Sequence, residues 1–231
     1  MKLMLIGGGE IGRGNTSYET GFIDQEIVSM SGVLHPKFLF IGLASSYADS
    51  YYDVIKKIYQ KLGCETSYLK KNNLIHNPLL VEQKIKDADI IYICGGDTIK
   101  LLDAVSLYHL GPLLRDAMEK DTVLAGISAG AILLTKEGYS DSYILRGESS
   151  DYSFVSGLSF TDISITPHFH SDPKKIEQLK NVLYKSNKKA YGIENGSALK
   201  IMDDSISVIS SIENASCYLV SNQDTYQEIK L

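Results

Sequence analysis

Five short apolar runs, each followed by a segment with helical spacing, constrain the fold of this chain more than any other feature. The runs are Lys2–Ile6, Phe38–Leu43, Ser67–Leu69, Ile90–Cys94 and Thr122–Gly126. Their unbroken apolar character suits strands covered on both faces, which is the condition of a parallel sheet. Between them, Phe22–Met30, Asp49–Leu62, Leu79–Ile85 and Thr98–Lys120 carry apolar residues at helical spacing. The last is predicted to break at Gly111-Pro112, because proline suits the start of a new helix. Such alternation predicts a doubly wound, mostly parallel α/β sheet with right-handed crossovers.

The pattern changes after His170. Ser171-Asp172-Pro173 reads as a capping signal for a helix over Asp172–Tyr184. Short runs follow at Ala190–Ile193, Ala198–Ile201, Ser205–Ile209, Cys217–Val220 and Tyr226–Leu231. Asn195-Gly196 and Asp203-Asp204 supply turns between several of them, so an antiparallel C-terminal extension in the form of a meander is expected. There is no internal repeat or linker, and residues 1–231 are expected to form one domain.

Composition narrows the function classes. With 23 Lys and Arg against 28 Asp and Glu the net charge is −5, which gives no basic surface for nucleic acid. The apolar start Met1–Ile6 is too short for a signal-peptide core or a membrane span before Gly7-Gly8-Gly9. Cys64, Cys94 and Cys217 have neither metal-like nor disulfide-like spacing. A cytoplasmic protein without membrane or nucleic-acid partners is expected, as monomer or homodimer.

The chemistry concentrates in Gly126-Ile127-Ser128-Ala129-Gly130, which joins the fifth run to a helical segment. A serine framed by glycines between strand and helix has the form of a nucleophile elbow. The same serine is also a good helix cap, so the pentapeptide alone admits both roles. Cys94-Gly95-Gly96-Asp97-Thr98 ends the fourth run before another helix, where glycines can leave N–H groups bare to a ligand. Asp97 or Thr98 would also cap that helix. Gly7-Gly8-Gly9-Glu10-Ile11-Gly12 matches a dinucleotide-binding pattern, yet a polar loop follows where a helix should start. A loop bordering an active site is the better reading.

A serine nucleophile needs a base. His35, His76 and His109 lie in polar or loop contexts, whereas His168 stands in Thr166-Pro167-His168-Phe169-His170 directly after a strand-like run. His168 and His170 lack an acidic or cysteine partner at metal-ligand spacing, so no metal site is predicted. For the acid that orients the imidazole, Glu194 in Gly192-Ile193-Glu194-Asn195-Gly196 competes with Asp141 in Tyr139-Ser140-Asp141-Ser142. Glu148 and Asp151 are weaker candidates. Spacing along the chain does not choose between them, because such residues assemble in space.

Four of these motifs, Gly95–Thr98, the Gly126–Ala131 elbow, Pro167–Phe169 and Gly192–Gly196, occur in the order found in the dipeptidase E / cyanophycinase family of serine peptidases, which the chain resembles over nearly its whole length. The resemblance implies a flavodoxin-like sheet related to class I glutamine amidotransferases, with serine in place of their cysteine. It implies a triad of Ser128, His168 and Glu194, with the family's second acid at Asp141. Oxyanion donors are implied at the N–H groups of Gly96 and Ala129, and the chemistry needs no cofactor. Gly95, Asp97, His170, Lys174 and Lys175 are the candidate residues for a small peptide substrate. One departure stands out: the aspartyl dipeptidases carry a substrate-binding arginine after the histidine, and His170–Lys175 contains none. Lysine there would act only as a point charge, without the guanidinium fork. The expectation is a hydrolase of small peptides. Its alternatives are a cyanophycinase-like or other small amide or ester hydrolase, and a binding protein that keeps the fold without turnover.

Overall fold

A computed structural model describes residues 1–203, 205–222 and 225–231. The first half runs β1 (Lys2–Ile6), α1 (Gly21–Ser31), β2 (Lys37–Ile41), α2 (Ala48–Lys61), β3 (Glu65–Leu69), α3 (Lys71–His76), α4 (Pro78–Asp87) and β4 (Ile90–Ile93). Next come α5 (Thr98–Leu107), α6 (Leu110–Glu119), β5 (Val123–Ile127), α7 (Ala129–Leu134), β6 (Thr135–Ser140) and α8 (Ser142–Leu145). The chain then forms β7 (Ser153–Ser156), β8 (Thr161–Pro167), α9 (Pro173–Ser186), β9 (Lys189–Ile193) and β10 (Ser197–Met202). It closes with β11 (Ser205–Ser210), β12 (Cys217–Asn222) and β13 (Tyr226–Lys230).

The strands form two sheets. In the first, ordered β11-β10-β1-β5-β4-β2-β3, the five strands from β1 to β3 are parallel and the β10–β11 hairpin is antiparallel beside β1. Side chains alternate between two cores, as a pleated strand requires. Leu3, Leu5, Ile91, Ile93 and Leu124 pack on one face. Met4, Ile6, Ile90, Tyr92, Val123 and Ala125 pack on the other. Burial on both faces is why these segments read as continuous apolar runs.

The second sheet, ordered β13-β12-β9-β8-β6-β7, has β6, β8 and β9 parallel at its centre and antiparallel strands at its edges. Its core against α9 contains Tyr139, Phe169, Leu179, Leu183, Ala190 and Val220.

Two expectations need correction. The C-terminal strands are not one meander: β9, β12 and β13 join the second sheet, whereas β10 and β11 join the first. The chain crosses between sheets at Asn195-Gly196, where Gly196 has φ 72°. The helical stretch after β4 breaks at Tyr108-His109, with His109 at φ 53°, three residues ahead of Pro112. Proline tolerates the first turn of α6 but does not set its start. Of the expected Asp203-Asp204 turn, Asp203 accepts a hydrogen bond from the amino terminus, and Asp204 lies outside the described residues. Among the described residues, no helix is long and apolar enough to cross a membrane. The three cysteines are buried and free.

Candidate active site

The carboxyl ends of both parallel sets meet. In the first sheet the neighbours β1, β5 and β4 end at the Gly7–Gly9 loop, at Ser128 and at Gly95-Gly96. In the second, the neighbours β9, β8 and β6 end near Asn195, His168 and Asp141. Within the first set Ser128 N–H donates to Ile6 O (2.9 Å). Two further backbone hydrogen bonds tie the sets together, from His168 N–H to Gly7 O (3.0 Å) and from Gly196 N–H to Gly8 O (2.9 Å).

Ser128 sits at φ 53°, ψ −112°, a conformation that costs a non-glycine residue about 1–3 kcal/mol. The flanking glycines have a packing reason. A Cβ on Gly126 would overlap the Gly130 carbonyl, and a Cβ on Gly130 would overlap Ile93 O. Only glycine lets α7 start this close to β4 and β5. The close approach points the N-terminus of α7, beginning with Ala129 N–H, at the space around Ser128. Gly96, at φ 137°, faces that space from the end of β4, with its own Cβ position blocked by Ala44.

Ser128 Oγ lies 2.9 Å from His168 Nε2. His168 Nδ1 lies 2.7 Å from Asn195 Oδ1. With the amide oxygen as acceptor, Nδ1 carries the proton and Nε2 is free to accept from the serine hydroxyl. Burial lowers the His168 pKa; the Asn195 bond and the Asp141 charge oppose the shift and Lys175 adds to it. A ring kept neutral can accept a proton, so the pair is fit for general-base work. Gly8 is part of this arrangement, because a Cβ there would overlap both Asn195 Oδ1 and the His168 ring.

The orienting position is therefore not where sequence reasoning put it. Glu194 turns away from His168: Oε1 meets His170 Nδ1 at 2.8 Å, and Oε2 accepts from Ser216 N–H at 2.9 Å. The far ring nitrogen of His170 lies 3.0 Å from Glu228 Oε2. Glu194 and Asn195 are adjacent in the turn after β9, and their side chains reach different rings, Glu194 that of His170 and Asn195 that of His168. Asn195-Gly196 reads as a turn in the sequence, and its asparagine oxygen also serves the Nδ1–H that a carboxylate would.

Asp141 does not occupy that place either. It precedes α8 without capping it through its side chain, and its carboxylate has no hydrogen-bond partner among the described residues. It borders two cavities that both reach Ser128 and His168. One is a pocket of about 120 Å³ lined also by Thr98, Tyr139, Ser140, Tyr152, Ser171 and Lys175. The other is a groove of about 660 Å³ lined by Gly8, Gly9, Arg13, Gly95, Gly96 and Asp97 among others.

The candidate substrate residues divide between these places. Gly95 and Asp97 line the groove, and Asp97 also caps α5 by accepting from Ile99 and Lys100 N–H. Lys175 walls the pocket; its ammonium donates to Pro167 O and lies 5.5 Å from the centre of the Tyr152 ring. Burial pulls its pKa down to about 8, against the charges of Asp141 and Asp172. Lys174 lies off the site, where its exposed ammonium donates to Ser150 O. The neighbouring lysine on a helix points elsewhere because successive residues are about 100° apart. His170 is likewise outside both cavities, held between Glu194 and Glu228. Among the described residues, no group of three or more His, Cys, Asp or Glu side chains is placed to hold a metal.

A strained serine on a strand-to-helix turn, hydrogen-bonded to a histidine at the meeting edge of parallel strands, defines a hydrolytic enzyme site. The chain belongs to peptidase family S51, whose model matches residues 3–209, and it is a peptidase. It is 29% identical over 202 residues to the uncharacterized peptidase YgaJ of Bacillus subtilis (strain 168), covering 86% of this chain and 84% of that protein. It is 27% identical over 217 residues to peptidase E of Nostoc sp., covering 88% and 84%. The fold is shared with the crystal structure of a peptidase from an acI-B1 Actinobacterium (TM-score 0.69, 21% identity, 99% of this chain and 93% of that one).

Proposed function

We propose that this chain is a serine peptidase acting on short peptides through Ser128, His168 and Asn195. The observation that carries the reading is Ser128 Oγ, on its strained turn, 2.9 Å from His168 Nε2. The hydroxyl attacks the peptide carbonyl and its proton passes to Nε2. The developing oxyanion takes hydrogen bonds from the N–H groups of Gly96 and Ala129. Nε2 then returns the proton to the leaving amine, leaving an ester on Ser128. Water, deprotonated by the same nitrogen, hydrolyses that ester.

Asn195 holds the imidazole in the tautomer with Nδ1 protonated, the part an amide plays in the Cys-His-Asn proteases. A neutral amide stabilises the imidazolium less than a carboxylate would, and burial keeps the His168 pKa below its ordinary value although the Asn195 bond opposes the shift. The pocket beside Ser128 supports a small substrate residue. Lys175 is the cation that faces it; Lys174 and His170 have no part in binding. Aspartate-exclusive cleavage is not expected, because a lysine already bonded to Pro167 O lacks the two-pronged fit of arginine to a carboxylate.

The test is labelling with a fluorophosphonate probe followed by peptide mapping. The modification is expected on Ser128 and absent from Ser128→Ala. A protein that hydrolyses dipeptides while Ser128 stays unlabelled would overturn the mechanism.

A further inference from the structure

Lys175 stands where the spacing of α9 calls for an apolar residue. It precedes Leu179 and Leu183 by one and two turns, and all three lie on the buried face of the helix. Lys175 is only 5% exposed, whereas the neighbouring Lys174 is exposed. An ammonium taken out of water is costly unless it is bonded. Its bond here goes to Pro167 O, the carbonyl that directly precedes His168.

The turn that this carbonyl opens needs holding. His168 has φ 51° and His170 φ 66°, left-handed values that residues other than glycine keep only where the surroundings impose them. From the sheets, His168 N–H donates to Gly7 O and Phe169 N–H to Ile193 O, both at 3.0 Å. Ser171 Oγ donates to His168 O at 2.6 Å. Lys175 adds a charge-assisted bond from α9, whose Leu179 and Leu183 share a core with Phe169. The helix is thereby tied to the residues on both sides of His168.

The same ammonium acts on the proton affinity of the base. Its charge works with burial to lower the His168 pKa, so the imidazole stays neutral. The titratable groups that face Lys175 are His168, Asp141 from the end of β6, Asp172 at the cap of α9, and Tyr139 and Tyr152 in the pocket wall. The two carboxylates favour its charged form and burial opposes it, which brings its pKa to about 8.

We propose that Lys175 is a positioning residue for the general base: its buried ammonium, through Pro167 O, holds the left-handed turn that aims the His168 imidazole at Ser128. This rests on the serine-peptidase reading above and adds what keeps its base in place.

The experiment follows the second-order rate of fluorophosphonate labelling of Ser128 in the full chain between about pH 5 and 10. The probe has no ionisable group, so its rate reads the Ser128–His168 pair without a substrate's own titration. The wild-type rate is expected to rise as His168 loses its proton. It should then fall by about 3- to 10-fold above about pH 8, where a neutral amine holds Pro167 O less firmly. Lys175→Met keeps the length and fills the buried face of α9, and it should label about 10- to 100-fold more slowly. Its alkaline fall should be absent, and its acid limb should lie at higher pH, because the cation that lowers the His168 pKa is gone. Lys175→Arg should recover rate over Lys175→Met and show no alkaline fall, since arginine keeps its proton throughout. Labelling of Lys175→Met at the wild-type rate overturns the inference. So does a wild-type rate that stays level above pH 8, a measurement that does not depend on how any variant folds. A slow Lys175→Met with both pH limbs as in the wild type, unrelieved by arginine, marks a packing role alone and also overturns it. Failure of the probe to label Ser128 in the wild type would instead strike the serine mechanism itself.

Discussion

The two sheets contribute to the site in different currencies. The first presents backbone: the Gly7–Gly9 loop, the strained Ser128 turn and Gly95-Gly96, all at the ends of adjacent parallel strands. The second presents side chains: His168, Asn195 and Asp141, from three strands that are also adjacent and parallel. Backbone geometry is fixed by close packing, so the first sheet needs glycines where α7 and neighbouring strands approach. Side-chain geometry is fixed by which way a residue points at a strand end, so the second sheet depends on register. The lesson is that the first sheet should fail through sterics and the second through hydrogen bonding.

The largest effect is expected from the nucleophile. Ser128→Ala should lower kcat for a dipeptide by about 10⁴-fold or more, as in other enzymes whose residues act as a unit. Circular dichroism should stay as in the wild type, since the smaller side chain occupies the same turn. Near-wild-type hydrolysis would end the comparison by removing the first sheet's role.

Gly8→Ala comes next and probes the seam between the sheets. The added methyl meets both Asn195 Oδ1 and the His168 ring, so that pair must move apart from Ser128. Misplacement by about 1 Å is enough to cost on the order of 100-fold in rate. The readout is kcat with thermal melting alongside; a loss of stability without a loss of kcat would contradict a steric role at the site.

Asn195→Ala should reduce kcat by about 10- to 100-fold, a loss comparable to that of other groups that orient a reacting ligand. Glu194→Gln should change it by less than about 3-fold, because Glu194 contacts His170 and Ser216 and not His168. A reversal of these two results would restore the glutamate as the orienting group.

The smallest effects are in pH dependence. The His168 pKa lies below its ordinary value through burial, so kcat/KM should hold to lower pH than for an exposed histidine. Asn195→Asp places a carboxylate against Nδ1, which raises the pKa and moves the acid limb to higher pH. Linkage follows the same sign. Because the folded state disfavours protonation of His168, that group weakens stability as pH falls below the ordinary histidine value. Denaturant midpoints of wild type and Asn195→Asp across that range measure the difference.

Much of the first sheet was legible in the sequence. Its strands are local apolar runs, and Ser128 and the glycine turns stand out where those runs end. Of the second sheet, β8, β9, β12 and β13 show as short strand-like runs, whereas β6 and β7 do not, because they carry mixed apolar and polar side chains. Their pairing depends on partners that no local period announces.

The sequence by itself determined the alternating parallel architecture and the glycine-framed serine turn, because each follows from local periodicity or from glycines beside one residue. Only the tertiary structure decided that Asn195 and not Glu194 meets His168, that Lys174 faces away, and that Asp141 is left open beside Ser128. The physical reason is geometric. Adjacent residues in the turn after β9 send their side chains to different rings, and one step along a helix turns a side chain by about 100°, so neighbours of similar chemistry reach different surroundings.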